Sequence, residues 1–131
     1  MIYYTKNRRK ITVGVAPGFK FIAKILRNED ITEQQIVEKI VKSSTLSEGD
    51  VLSCLRNLQL VMTEYLTSGS TIRLENLGTF TPYLESKACE SIDEVTENSI
   101  KGVKIRFIPN VRFKKQVSSV QYEYRHNETI A

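Results

Sequence analysis

The only side chains here with ready nucleophilic or metal-binding chemistry are two cysteines and a histidine, and their spacing permits little of it. Cys54 and Cys89 have no Cys-x-x-Cys spacing, and with His126 they fall short of the four protein ligands of a structural zinc. Cys54 lies among Leu52, Leu55 and Leu58 and reads as a small core residue. Cys89 is followed by Glu90, whose carboxylate disfavours a thiolate. His126 is expected in a frayed tail, with no credible base or orienting partner. Neither standard spacing of a glycine-rich phosphate loop occurs. These observations argue against an enzyme, and no metal, cofactor or small-molecule substrate is expected.

The remaining chemistry lies in the cations. Lys and Arg number 19 against 15 Asp and Glu, a formal charge of +4. They are unevenly placed. Met1 to Asn28 holds Lys6, Arg8, Arg9, Lys10, Lys20, Lys24 and Arg27 with no acid, and Asn98 to Ser119 holds Lys101, Lys104, Arg106, Arg112, Lys114 and Lys115, again with none. Between them Glu85, Glu90, Asp93, Glu94 and Glu97 face Lys87 alone. Acid-free basic blocks suit a polyanion, whose phosphates they neutralise, although a solvated face has the same composition. The N-terminal cations either extend such a footprint or keep an edge strand from pairing with other chains. The tyrosines offer either rings for base stacking or strand and core packing.

The elements that position these charges follow from hydrophobic period. At 131 residues and 40% hydrophobic content, one domain with one modest core is expected. Apolar stretches are interrupted every few residues, so no membrane span is expected, and the polar, basic N-terminus argues for a cytoplasmic chain with reduced thiols. Ile11, Val13 and Val15 alternate with polar or small residues up to a turn signal at Ala16-Pro17-Gly18. Phe19, Phe21, Ala23 and Ile25 then form a second alternating run with Lys20 and Lys24. Thr32 with Gln35, and Ser47 with Asp50, have the spacing of helix N-caps. The first helix carries an apolar stripe of Ile36, Val37, Ile40 and Val41. The second runs through Val51, Leu55, Leu58, Met62, Tyr65 and Leu66 to a stop at Ser68-Gly69. Its apolar surface is wider than one small sheet can cover, which predicts a second chain against it.

Beyond Gly69 the period becomes two. Ile72 and Leu74 lead to a turn at Asn76-Leu77-Gly78, and Thr79-Phe80-Thr81 starts a return strand that Pro82 places at an edge or a bulge. An acidic excursion, expected to be mobile, separates this from Val103, Ile105 and Phe107 alternating with Lys104, Arg106 and Ile108. Pro109-Asn110 ends that strand, Asn110 caps a short basic helix through Val111, Phe113 and Val117, and Val120, Tyr122 and Tyr124 offer a last strand.

This order resembles the HU/integration-host-factor family of bacterial histone-like DNA-binding proteins, from Thr32 to about Val120. Asn76-Leu77-Gly78-Thr79-Phe80 stands where the family has its glycine-rich turn and Gly-Thr-Phe. Ile105-Arg106-Phe107-Ile108-Pro109-Asn110, followed by Phe113-Lys114-Lys115-Gln116-Val117, resembles its strand-to-helix ending. The extra N-terminal strands and the closing Tyr122-Glu123-Tyr124 resemble a longer HU-related branch. The resemblance implies an α+β fold of the HU/IHF type: a helical pair, an antiparallel sheet with a protruding arm, and extra N-terminal strands. It implies a β extension at 1–30 packed on an HU-like domain at 31–131, a single compact domain overall. It further implies a homodimeric, nucleoid-associated protein that binds and condenses double-stranded DNA largely without regard to sequence.

On such a sheet, period two sets Arg73, Thr79, Thr81, Lys104 and Arg106 opposite the core residues Ile72, Phe80, Ile105 and Phe107. The expected DNA contacts are therefore Arg73, Lys101, Lys104 and Arg106, with Arg112, Lys114 and Lys115 of the last helix. The expected dimer interface is Leu55, Leu58, Met62, Tyr65 and Phe80. The family's arm carries Arg-Asn-Pro-x-Thr-Gly, whose proline wedges between base pairs. No proline stands between Pro82 and Pro109 here, and the corresponding segment Glu85 to Asn98 is acidic, so neither a proline wedge nor DNA contact by this arm is expected. Where the family often has Gly-Lys before its last helix, this chain has Asn110-Val111, with the charge at Arg112. The alternative is an HU-like dimeric structural or protein-interaction module that has lost strong DNA binding and uses its acidic insert and extra strands for a protein partner.

Overall fold

The computed structural model describes residues 1–11 and 18–126. The expected strand positions Val13 and Val15, and the turn at Ala16-Pro17, lie outside the described residues. The described elements are β1 (Ile2–Ile11), β2 (Gly18–Ile25), α1 (Glu33–Lys42), α2 (Glu48–Thr67), β3 (Ile72–Leu74), β4 (Gly78–Ser86), β5 (Ile100–Pro109), α3 (Val111–Ser118) and β6 (Tyr122–Tyr124). This is the mixed α+β, HU-type order that the sequence implies. The chain divides into two compact units, Met1–Asp30 with Gln116–Ala131, and Ile31–Lys115.

In the first unit the strand order is β2-β1-β6. β1 and β2 are antiparallel, with Tyr4 opposite Ile25 and Arg8 opposite Phe21. β6 runs parallel to β1, Ile2 opposite Tyr122 and Tyr4 opposite Tyr124, so this sheet is mixed. β1 also begins nine residues before Ile11, where the sequence alternation was first legible. Its early positions hold tyrosines and cations on both faces, which conceals the period of two.

In the second unit α1 and α2 both start in reciprocal caps. Thr32 Oγ1 accepts from the Gln35 amide at 3.3 Å while Gln35 Oε1 accepts from the Thr32 amide at 2.8 Å. Ser47 Oγ accepts from the Asp50 amide at 3.1 Å, and the Asp50 carboxylate accepts from the Ser47 amide at 3.2 Å. These bonds from Ser47 hold the Asp50 carboxyl below its ordinary 3.8. α2 ends in a Schellman motif: the Gly69 amide donates to Leu66 O at 3.1 Å and the Ser70 amide to Tyr65 O at 3.1 Å, with Gly69 at φ +85°. The packed centre is small. Among the described residues, Val37 (0% exposed) and Val51 (3%) are the buried apolar side chains. Ile36 of the expected stripe is exposed, and so is Cys54, which is therefore not a core residue of the single chain.

The second sheet has the order β3-β4-β5 and is antiparallel throughout. β3 begins with Ile72 opposite Phe80, so from Thr81 onward β4 has one neighbour among the described strands, and Pro82 sits there without interrupting a second ladder. Gly78 at the start of β4 is buried, with φ +155°. A Cβ there would collide with the Ile108 carbonyl oxygen and come within 2.9 Å of Phe107 Cε2 and Pro109 Cα. The acidic segment, expected to be mobile, is hydrogen-bonded into short 3-10 turns at Ile92–Glu94 and Glu97–Ser99. Its base closes through the Lys87 amide to Ser99 O at 2.8 Å, and buried Ser99 donates from Oγ to Thr96 O at 2.7 Å. No helix among the described residues is long and apolar enough to cross a membrane.

Candidate nucleic-acid interface

Directly opposed residues of an antiparallel sheet share a face, so the strand register sorts the side chains of the β3-β4-β5 sheet. Arg73 is opposite Thr79, Thr79 opposite Ile108, Thr81 opposite Arg106, Tyr83 opposite Lys104, and Glu85 opposite Gly102. The other face carries Ile72, Phe80 and Phe107 in one row, then Pro82 with Ile105 and Leu84 with Val103. Arg73, Lys104 and Arg106 thus stand together on a face that also carries Thr79, Thr81 and Tyr83, which can hydrogen-bond, and the apolar Ile108. All three cations are exposed.

Two of the three have partners on that face. Lys104 Nζ lies 3.1 Å from Glu85 Oε2, in a pair that is half in water on both sides. The Arg106 guanidinium sits 5.3 Å from the centre of the Tyr83 ring. By composition Glu85 belongs to the acidic insert, and Tyr83 is left between base stacking and strand packing. Counting the period of two forward from Thr81 places both on the basic face, a signal that the insert's net charge obscured.

Lys101 does not join this row. The register slips between Glu85, opposite Gly102, and Ser86, opposite Ile100, which leaves Lys101 as the extra residue of a bulge at the base of the acidic segment. The α3 cations begin from a fixed point. The Asn110 amide donates to Leu77 O at 2.7 Å, tying the helix start to the β3–β4 turn, and Asn110 Oδ1 accepts from the Arg112 amide at 2.8 Å. Arg112 and Lys115, three apart, share one side of α3, whereas Lys114 points elsewhere. All three are exposed.

The opposite, apolar face of the sheet meets α2 along open grooves. One, of about 370 Å³, is lined by Leu55, Leu58, Met62, Phe80 and Ile105 among others. Another, of about 580 Å³, continues past Leu66 to Pro82, Leu84 and Val103. Four of the five residues expected at a dimer interface therefore converge on one groove. Tyr65, seven positions beyond Leu58 on the helix, is 54% exposed and does not line it. Ile105 and Phe107, expected in the core, are 60% and 43% exposed in the single chain. Phe80 and Phe107 nevertheless pack ring against ring, with centroids 4.8 Å apart.

A family model described as an HU domain fused to a wHTH, Ig or glycine-rich motif matches residues 2–124. No curated protein matches the chain. Among solved structures, a candidate bacterial DNA-binding protein from Bacteroides vulgatus is similar with a TM-score of 0.71 at 8% identity, covering 97% of this chain and 50% of that one. At that identity the likeness is one of fold. The chain spans about half the length of that structural relative.

Proposed function

This chain belongs to the family of HU domains fused to a wHTH, Ig or glycine-rich motif, and we propose that it binds double-stranded DNA with little regard to sequence, as a non-catalytic, homodimeric, nucleoid-associated protein of the bacterial cytoplasm. The observation that carries this reading is the register that gathers Arg73, Lys104 and Arg106 on one exposed sheet face and turns Ile72, Phe80, Leu84, Val103, Ile105 and Phe107 to the other. Cations and hydroxyls on a sheet suit phosphate oxygens, which fix position and supply salt-sensitive affinity without reading bases. The description of the Bacteroides relative as a candidate DNA-binding protein agrees with it. The absence of a proline between Pro82 and Pro109 favours binding without a wedge between base steps. The open α2 groove supports a second copy as its cover, which would complete a core that, among the described residues of the single chain, buries two valines.

The test is a salt titration of binding to duplexes of unrelated sequence, with the unmodified chain and with Lys104→Gln/Arg106→Gln. The double variant should weaken every duplex to a similar extent and reduce the slope of log affinity against log salt by about one to two units. Its melting temperature should match the unmodified chain, because both side chains are exposed. Retained affinity in this variant, with loss only on changing Arg8, Arg9 and Lys10, would move the duplex site to the N-terminal strands.

A further inference from the structure

The β2-β1-β6 sheet carries a second cationic face of different composition. Register places Lys6, Arg8 and Lys10 of β1 on one side together with Phe19 and Phe21 of β2. At the β6 end the same side carries Tyr4 and Tyr124, whose rings are 5.8 Å apart. Cations and rings are interleaved: Lys6 Nζ lies 4.4 Å from the Tyr124 ring centre, and the Arg8 guanidinium 4.2 Å from that of Phe19. The acid within these three strands, Glu123, is opposite Tyr3 on the other side. Among the described residues no such cap lies over Phe21, which is 77% exposed, while Phe19 is 57% exposed.

Exposed phenylalanines flanked by cations, on a face where these three strands place no acid, suit few occupants. A wholly apolar partner would strand the cations away from water, at several kcal/mol for each. A DNA duplex offers phosphates but keeps its base faces stacked inside. A single strand offers both phosphates and free base faces, and base stacking on sheet aromatics with cations along the backbone is how sequence-tolerant single-strand binding is built. Among the described residues, no neutral hydrogen-bonding side chain stands on this face around Phe19 and Phe21 to engage a 2′-hydroxyl. We propose that this face binds single-stranded DNA, with bases stacked on Phe21 and Phe19 and phosphates drawn to Lys6, Arg8 and Lys10. The proposal is independent of the duplex site on the other sheet.

The test uses the full chain and a labelled oligo-dT of about 12 nucleotides, within the usual site size of a single-strand binding sheet. Phe21→Ala should weaken oligo-dT binding about tenfold, with duplex affinity and melting temperature unchanged. Lys6→Gln/Lys10→Gln should weaken it further and flatten its salt dependence. The sequence contains no tryptophan, so Phe21→Trp gives a single reporter whose emission oligo-dT should quench and a duplex should not. Unchanged oligo-dT affinity in Phe21→Ala would overturn the proposal. So would tighter binding of oligo-rU than of oligo-dT, or a change in self-association in place of the oligo-dT effect. Loss of oligo-dT binding in Lys104→Gln/Arg106→Gln, with Phe21→Ala intact, would assign single strands to the duplex site. A failure of duplex binding alone would leave this face untouched.

Discussion

At Gly78 a methyl group would be driven into the Ile108 carbonyl oxygen and against Phe107 and Pro109, at a φ of +155° that L side chains rarely adopt. Two of those neighbouring atoms are backbone and cannot swing away. Gly78→Ala should therefore lower stability by about 3 kcal/mol, combining backbone strain with overpacking. That should appear as a fall of about 10 °C in melting temperature by calorimetry or circular dichroism. A melting curve that matched the unmodified chain would show that β5 can shift to make room. The same scale governs the basic face. Glu85 holds Lys104 at 3.1 Å and offsets one of its positive charges. Glu85→Gln should release Lys104 to a phosphate, tightening duplex binding about twofold to fivefold and steepening its salt dependence by up to about one unit. Unchanged affinity and slope would mean that Lys104 does not reach the duplex.

At the scale of the element, α2 shows how local chemistry fixes boundaries independently of what packs on it. Ser47 and Asp50 cap its start reciprocally, and the Schellman bonds at Gly69 end it. Because the Ser47 bonds lower the Asp50 pKa below 3.8, the folded state favours the carboxylate. The resulting stability is present above pH 3.8 and is lost as pH falls through the lowered folded value, where the carboxyl takes up a proton in the folded chain as well. The stability difference between the unmodified chain and Asp50→Asn should accordingly be constant near neutral pH and shrink below pH 3.8. Urea titrations of both proteins across that range would measure it. A difference that grew on acidification would mean that Asp50 does not contribute through its charge.

At the scale of the whole molecule, the burial of only Val37 and Val51 among the described apolar residues, against exposed Leu58, Val61, Ile105 and Phe107 along α2 and its facing sheet, is a poor basis for a stable monomer. Sedimentation equilibrium at micromolar concentration should return twice the 15.0 kDa of one chain. Leu58→Asp, which sets a charge in the groove shared with Leu55, Met62 and Phe80, should abolish the dimer and leave an unfolded or aggregated chain. A soluble, cooperatively folding monomer of the unmodified chain would overturn the proposed second copy.

The sequence by itself determined the element order, the caps at Thr32 and Ser47, the stop at Gly69 and the sorting of Arg73, Lys104 and Arg106 from Ile105 and Phe107. Each of these is local: a hydroxyl three residues from an amide, a glycine after a helix, or an alternation within one strand. The tertiary structure alone decided what depends on register and on strands distant in the chain. It brought Glu85 to Lys104, left Lys101 in a bulge, gave β6 a parallel place beside β1, and held Ser99 at the base of an acidic segment that composition presented as loose. It also left Cys54 exposed, because a residue among leucines is buried only where a second surface covers that side of the helix.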